Sequence, residues 1–250
     1  MLEIHDIHVT LNERTPIQKK ILNGITLTVN PNEAIAVIGA NGSGKTTFMN
    51  AIAGEVKIKS GSIKIDKKNV TKWDTQQRSA SVARVFQDPL AGTCGELTIE
   101  ENLALAYNRG KPRNFLPAIT KSMRELFKES LSELKMGLEK RLKDPMELLS
   151  GGQRQAISLV MATLQPSQIL LLDEPTAALD PKISTKVLNL ADKLIEKYSL
   201  TTLMITHSMQ QALTFGSRTI VLSQGKIIRS ILAEERSNMT VADLMAIFEE

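Results

Sequence analysis

The most informative stretch of this chain is GANGSGKT, at residues 39–46, which follows the apolar run EAIAVI at residues 33–38. The stretch matches the pattern G-x-x-x-x-G-K-[ST] at every fixed position. Its glycines let the backbone turn so that N–H groups converge on one point, where the positive end of the next helix dipole also lies. The pattern predicts a strand, a phosphate-binding loop and a helix. The alternative is a glycine-rich turn that binds nothing.

Two side chains at the end of this loop would complete a nucleotide site. Lys45 is expected to reach the β- and γ-phosphates, and the hydroxyl of Thr46 is expected to hold Mg²⁺. The predicted ligands are therefore a nucleotide and Mg²⁺. The loop residues predicted to bind the nucleotide are Gly39, Asn41, Gly42, Ser43, Gly44, Lys45, Thr46 and Thr47.

Length and composition limit the class of protein. The 250 residues suffice for one large domain, and 42% hydrophobic with 23% charged residues is ordinary for a globular protein. No apolar run approaches the roughly 18 to 20 residues that cross a bilayer, and the N-terminus lacks a signal-peptide pattern, so we expect a cytosolic location. Cys94 is the only cysteine, which excludes an intramolecular disulfide and a cysteine metal cluster.

The positive charge of the chain does not identify a partner. The net charge of +4 is compatible with nucleic acid, with an anionic membrane face and with polyphosphates. Residues 109–143 contain ten Lys or Arg and four Glu. This segment is either a solvated helical face or a surface near phospholipid headgroups.

The hydrophobic period changes along the chain. Residues 2–9 and 25–29 alternate apolar and polar side chains, and with a short strand at 62–65 they predict an antiparallel layer beside the nucleotide. Residues 82–86 are predicted as a buried strand that ends at the break QDP. Helical spacing begins at about residue 98. Strands alternating with helices return at residue 150, so the layout is α/β with a helical insertion.

A second buried strand ends in two acidic residues, in the sequence ILLLDE at 169–174. Asp173 is expected to contact Mg²⁺ directly or through water, and Glu174 to polarise the attacking water. Two acids after a buried run could instead form a turn or begin a helix. The phosphate loop in the same chain favours the catalytic interpretation.

The sequence LSGGQ at 149–153 directly precedes an apolar helical segment. Ser150 and Gln153 form an N-capping pair, a structural role that can coexist with phosphate binding. Capping does not need two consecutive glycines, which cost helix stability. Exposed N–H groups at a helix start, with a serine hydroxyl, would make a second anion site. Its predicted members are Ser150, Gly151, Gly152 and Gln153.

These motifs resemble those of the ATP-binding subunit of ABC transporters, over essentially the whole chain. GANGSGKT resembles the Walker A loop, LSGGQ the family signature and ILLLDE the Walker B strand, in the order of the family. Gln87 resembles the Q-loop glutamine, ALD at 178–180 the D-loop, and His207 in MITHS the switch histidine.

The resemblance implies an α/β fold: a P-loop NTPase (RecA-like) core with an N-terminal antiparallel β subdomain and an inserted all-helical subdomain. We expect one ABC ATPase domain over residues 1–250. Within it, residues 1–87 and 159–250 would form the nucleotide-binding core with the β subdomain, and residues 88–158 the helical subdomain.

The resemblance also assigns roles to residues. It implies a dimer that sandwiches two ATP molecules, each between Walker A of one subunit and the signature of the other. Gln87 would contact Mg²⁺ or the lytic water, His207 would bind the γ-phosphate and orient Glu174, and Asp180 would reach across the dimer. Taken alone, Gln87 could be a polar strand end, His207 a structural histidine, and Asp180 the cap of the next helix. The predicted catalytic residues are Glu174, His207 and Gln87, and the predicted metal ligands are Thr46, Gln87 and Asp173.

One departure from the family concerns the base. The family usually places an aromatic side chain in the first loop to stack on adenine, but residues 9–21 contain none. We expect Leu11 or a nearby aliphatic side chain to pack there instead.

The resemblance implies the ATPase subunit of a transporter, peripheral to the cytoplasmic face of the membrane, with a separate permease docked on the helical insertion. Residues 85–102 resemble a subgroup of bacterial importers paired with a solute-binding protein, for amino acids such as tryptophan. The alternatives are the energising subunit of an exporter and an ABC-type ATPase that acts on ribosomes or nucleic acid. Relatives of the latter kind generally have two cassettes or long coiled coils, and neither is present. A nucleic-acid partner is therefore not expected.

Overall fold

The computed structural model describes residues 1–111, 117–177 and 179–249. Ala178 of the predicted D-loop lies outside the described residues. The strands are β1 (Leu2–Leu11), β2 (Lys19–Val29), β3 (Ala34–Ile38), β4 (Ser60–Ile65), β5 (Lys68–Asn69), β6 (Val82–Val85), β7 (Ile169–Asp173), β8 (Thr201–Ile205), β9 (Arg218–Ser223) and β10 (Lys226–Leu232). The α-helices are α1 (Lys45–Ala53), α2 (Thr75–Arg78), α3 (Ile99–Tyr107), α4 (Lys121–Ser132), α5 (Gly151–Thr163), α6 (Pro181–Tyr198), α7 (Met209–Thr214), α8 (Ala233–Arg236) and α9 (Val241–Glu249), and single 3₁₀ turns lie at Leu138–Lys140 and Met146–Leu148.

A four-stranded antiparallel sheet, in the order β2-β1-β4-β5, confirms the predicted first layer. The apolar residues that alternate along β1, such as Leu2 and Ile4, are buried, and the residues between them are more exposed. Strand β2 begins at Lys19, six residues before the predicted start at Ile25, because β1 continues to Leu11 and pairs with it.

The second sheet has six strands in the order β10-β9-β3-β8-β7-β6. Strands β3 and β6 to β9 are parallel, and β10 pairs antiparallel with β9 at the edge. Both faces are covered, so β7 and β8 are buried along their whole length. The expected α/β fold is confirmed. In such sheets, ligands bind at the carboxyl ends of the strands, and β3, β6, β7 and β8 all end at that edge.

The helical part packs around its own apolar cluster, which includes Ile99 of α3, Phe127 of α4 and Ile157 of α5. Helix α5 also contributes Leu159 and Ala162 to the cluster under the parallel sheet. It therefore runs through residue 158, and the division of the chain at residues 88 and 158 stays a proposal. Among the described residues, no helix combines the length and the apolar character needed to span a bilayer.

Candidate nucleotide-binding site

Gly39 and Gly44, in the loop after β3, lie where their neighbours leave little or no room for a side chain. Gly44 has a φ of 105°, in the left-handed region, and a Cβ there would lie 3.0 Å from Leu22 Cδ2. A Cβ on Gly39 would lie 2.3 Å from the carbonyl oxygen of Leu222. Helix α1 begins at Lys45, so the unpaired N–H groups of its first turn lie at this loop.

A cleft of about 530 Å³ opens beside the loop. It is lined by Lys19, Ile21, Asn41, Gly42, Gly44, Lys45, Thr46, Thr47, Gln87, Glu174 and His207. All of these except Lys19 and Ile21 were predicted from the sequence. Ser43 and Asp173 are buried beside the cleft rather than lining it. Among the described residues, neither Asp180 nor the segment 150–153 lines the cleft.

Lys45 is folded against its own loop. Its Nζ donates to the carbonyl oxygens of Gly39, at 2.7 Å, and Ala40, at 3.1 Å, and the side chain is buried. Burial lowers the pKa of Lys45, and the carboxylates of Glu174 and Asp173 raise it by less. The lysine thus presents a poorly hydrated Nζ group that could donate hydrogen bonds to a phosphate.

Glu174 and His207 are in direct contact. The distance between His207 Nε2 and Glu174 Oε1 is 2.7 Å, and the glutamate is nearly buried while the histidine is half exposed. Glu174 has a φ of 45°, which is unusual for a residue with a long side chain, and its N–H donates to Ile205 O at 3.1 Å. Backbone strain of this kind clusters at functional sites.

A small polar network holds the loop of His207 beside the loop of Glu174. Thr206 Oγ1 donates to Gln211 Oε1 at 2.6 Å, and Gln211 Nε2 donates to Thr176 Oγ1 at 3.4 Å. Thr206, Gln211 and Thr176 were not predicted from the sequence. Nothing in their sequence spacing marks them, because the two loops meet only in the folded chain.

Asp173 has a basic partner that the sequence analysis missed. Its Oδ2 accepts a hydrogen bond of 2.7 Å from Arg84 Nη2, and both side chains are almost fully buried. Arg84 Nη1 donates to Asn50 Oδ1 at 2.7 Å and to Glu55 Oε2 at 2.8 Å. The sequence did indicate such a partner, because an arginine within an apolar strand requires buried hydrogen-bond acceptors.

The signature segment begins α5, as its capping interpretation predicts. Ser150 Oγ accepts from the Gln153 N–H at 3.3 Å, and Gln153 Oε1 accepts from the Ser150 N–H at 3.2 Å. Gly151 is exposed, whereas Gly152 is buried and a Cβ there would lie 2.3 Å from Ile183 Cγ2. Gly152 is therefore needed for the close packing of α5 on α6. The phosphate role of the segment stays a prediction.

Asp180 caps α6. Its Oδ1 accepts from the backbone N–H groups of Lys182, at 3.1 Å, and Ile183, at 3.0 Å. This confirms the structural alternative for Asp180, and its reach across a dimer stays a prediction.

The expected aliphatic contact for the base also stays a prediction. Ile21 lines the cleft, and Leu11 does not, although it is the strand partner of Lys19, which does. Ile21 is thus the aliphatic side chain that this cleft offers.

Known proteins resemble the chain along its whole length. The family profile described as ABC transporter matches residues 22–177. The chain is 38% identical to the tyrosine transport ATP-binding protein of Clostridioides difficile (strain R20291), over 100% of this chain and 99% of that protein. It is 32% identical to the xylose/arabinose import ATP-binding protein XylG of Sulfolobus acidocaldarius, over 99% of this chain and 94% of that protein.

A solved structure resembles the fold in the same way. The dimeric post-hydrolysis state of the ATP-binding cassette MJ0796 bound to ADP and Pi has a TM-score of 0.80 and 26% identity, with 93% of this chain and 99% of that chain covered. The P-loop NTPase fold predicted from the sequence is thereby confirmed, and the nucleotide-binding role of the cleft stays a prediction. This chain belongs to the ABC transporter family, as an ATP-binding cassette subunit that hydrolyses ATP.

Proposed function

We propose that this chain is the ATPase of a bacterial importer, that two copies close on ATP, and that closure drives amino-acid uptake through a separate permease. One observation supports the shared site most directly. The cleft holds the phosphate loop, Glu174 and His207, but the signature segment 150–153 lies elsewhere on the molecule. A second copy would supply that segment. The solved relative named above is dimeric, which agrees with this proposal.

The oxygen donors near the loop suit Mg²⁺. The Thr46 hydroxyl and the Gln87 amide line the cleft, and the Asp173 carboxylate lies buried close by. Mg²⁺ in nucleotide sites is typically held by one or two side-chain oxygens together with phosphates and water. Accordingly, no group of three or more His, Cys, Asp or Glu side chains suited to a metal occurs among the described residues. When bound, Mg²⁺ would neutralise charge on the phosphates, and Glu174 would take the proton of the attacking water.

A groove between the two parts of the cassette suits the permease. Its volume is about 280 Å³, and its lining includes Phe86 and Pro89 beside the end of β6, Leu105 of α3 and Met161 of α5. Leu90 and Leu105 are exposed although they are large and apolar. Phe86, the residue before Gln87, lines the groove, so a permease helix seated there would sense the nucleotide site.

The relatives' names and the sequence together support a transport direction and a solute class. One full-length relative is named for tyrosine transport, and another is named for sugar import. Together with the subgroup pattern at residues 85–102, this favours import of an aromatic amino acid that a solute-binding protein delivers. The ATPase would lie at the cytoplasmic face of the membrane. An exporter is the second candidate.

Reconstitution tests the importer proposal. The chain, a candidate permease and a candidate solute-binding protein are placed in liposomes with ATP on the side of the cassette. We expect labelled tyrosine or tryptophan to move toward the ATP side, and only when the binding protein is present. Movement away from the ATP side would assign an exporter. Stable association with ribosomes or DNA, without any with the permease, would reject transport.

Lys45→Ala should weaken the affinity for ATP by about ten- to a hundredfold, because hydrogen bonds to charged groups contribute roughly 1.5–3 kcal/mol. Calorimetric titration with a non-hydrolysable ATP analogue measures the loss. Lys64→Ala, a lysine exposed on β4, is the matched control and should bind like the wild type. An unchanged affinity in a folded Lys45→Ala protein would contradict the assignment of the loop.

A further inference from the structure

Arg84 is a buried cation in the middle of an apolar strand. It lies in β6 between Ala83 and Val85, and its side chain is 8% exposed. Burying a charge is costly unless it is paired and hydrogen-bonded, so its partners determine what the residue does.

Those partners connect three parts of the nucleotide core. One terminal nitrogen bonds to Asp173 at the end of β7, and the other bonds to Asn50 of α1 and to Glu55 just after it. The guanidinium carbon also lies 4.7 Å from the centre of the Phe86 ring, next to Gln87. A planar guanidinium can bond acceptors in several fixed directions at once, which a lysine ammonium cannot reproduce.

We propose that Arg84 is a positioning residue for the metal site. It fixes the carboxylate of Asp173 so that one oxygen faces the nucleotide metal. The proposal rests on the proposed role of Asp173 toward Mg²⁺. Among the described residues, only Oδ2 of Asp173 has a hydrogen-bond partner, and that partner is Arg84. Because Oδ2 is hydrogen-bonded to Arg84, Oδ1 is the carboxylate oxygen that remains available to a metal. Hydrogen-bonded outer partners of this kind orient metal ligands, and their loss typically costs about 10- to 100-fold in metal affinity.

A role confined to holding α1 against β6 would need fewer contacts than Arg84 makes. Closing α1 against β6 requires only the bonds to Asn50 and Glu55, and these would remain if Asp173 pointed elsewhere. The bond to Asp173 adds nothing to that closure. It does connect the predicted metal ligand to the strand that leads to Gln87, the other predicted ligand from a strand end.

The test measures metal binding separately from nucleotide binding. Mn²⁺ is titrated into the ATP complex of the full chain, in a Glu174→Gln background that prevents turnover, and free Mn²⁺ is followed by electron paramagnetic resonance. Arg84→Met should weaken Mn²⁺ binding by about tenfold. The affinity for ATP in EDTA should stay within about twofold of the parent, which a general loss of structure would not allow. Glu55→Gln is the matched control, because it removes the negative charge of one partner of Arg84 but leaves the bond to Asp173, and it should not change Mn²⁺ affinity.

Further variants make each outcome decisive. If Arg84→Met does not fold, Arg84→Lys keeps the charge without the planar geometry and should also lose Mn²⁺ affinity. Wild-type Mn²⁺ affinity in the folded variant, or equal losses of metal and metal-free ATP binding, would overturn the proposal. Asp173→Asn distinguishes a failure of the metal role of Asp173 from a failure of the positioning role of Arg84. If that variant binds Mn²⁺ normally, the metal role of Asp173 fails and the role of Arg84 fails with it. If it binds Mn²⁺ weakly while the Arg84 variants bind normally, only the inference about Arg84 is wrong.

Discussion

Glu174→Gln is expected to stop ATP turnover while ATP stays bound and the two copies stay closed on it. The amide has the size of the carboxylate and can still hydrogen-bond His207, which lies 2.7 Å from Glu174 Oε1. It cannot accept the proton of the attacking water, and loss of a general base typically costs about 10²- to 10⁴-fold. The backbone at Glu174 already tolerates a long side chain at positive φ, so the substitution adds no strain.

The measurement pairs steady-state phosphate release with light scattering. We expect phosphate release to fall by at least about a hundredfold and a dimer to persist with ATP and Mg²⁺ but not with ADP. Glu196→Gln, on the exposed face of α6, is the control and should hydrolyse ATP at the wild-type rate. Normal turnover in Glu174→Gln would reject Glu174 as the base.

The parts of the site that could be predicted from the sequence are those formed by consecutive residues. The phosphate loop, the acidic end of β7 and the cap of α5 each have a local pattern with a local physical cause. Gln87 and His207 became identifiable only through the order of motifs in the family. The strand order explains why they meet Lys45, because β3, β6, β7 and β8 all end at one edge of the sheet.

Features that depend on tertiary contacts were not predicted. The bond between Arg84 and Asp173 joins residues 89 positions apart, and no spacing rule connects them. Ile21 and Lys19 line the cleft because β2 starts earlier than its alternation suggested. Gly152 was grouped with phosphate contacts, but its missing side chain also makes room for Ile183 of α6. Two adjacent glycines in one motif thus differ in what surrounds them.

That difference makes Gly151, rather than Gly152, the position at which to test the shared site. Gly152→Asp would drive a side chain into Ile183 and confuse misfolding with loss of closure. Gly151 is exposed, and a Cβ there would lie 3.6 Å from Leu179 Cδ2, an ordinary contact. An aspartate in the first turn of α5 is favourable to the helix dipole, so the isolated subunit should fold normally.

Gly151→Asp should leave ATP binding to the single subunit intact and prevent two copies from closing. The new carboxylate would stand where the proposed dimer brings the γ-phosphate of the partner's ATP, and like charges brought together at an interface cost several kcal/mol. In the Glu174→Gln background, light scattering should show monomers with ATP. In the otherwise unchanged chain, turnover should fall by more than about a hundredfold. Gly151→Asn has nearly the same size without the charge and should retain much of the closure. If Gly151→Asp dimerised and hydrolysed ATP like the wild type, the signature segment would not face a nucleotide.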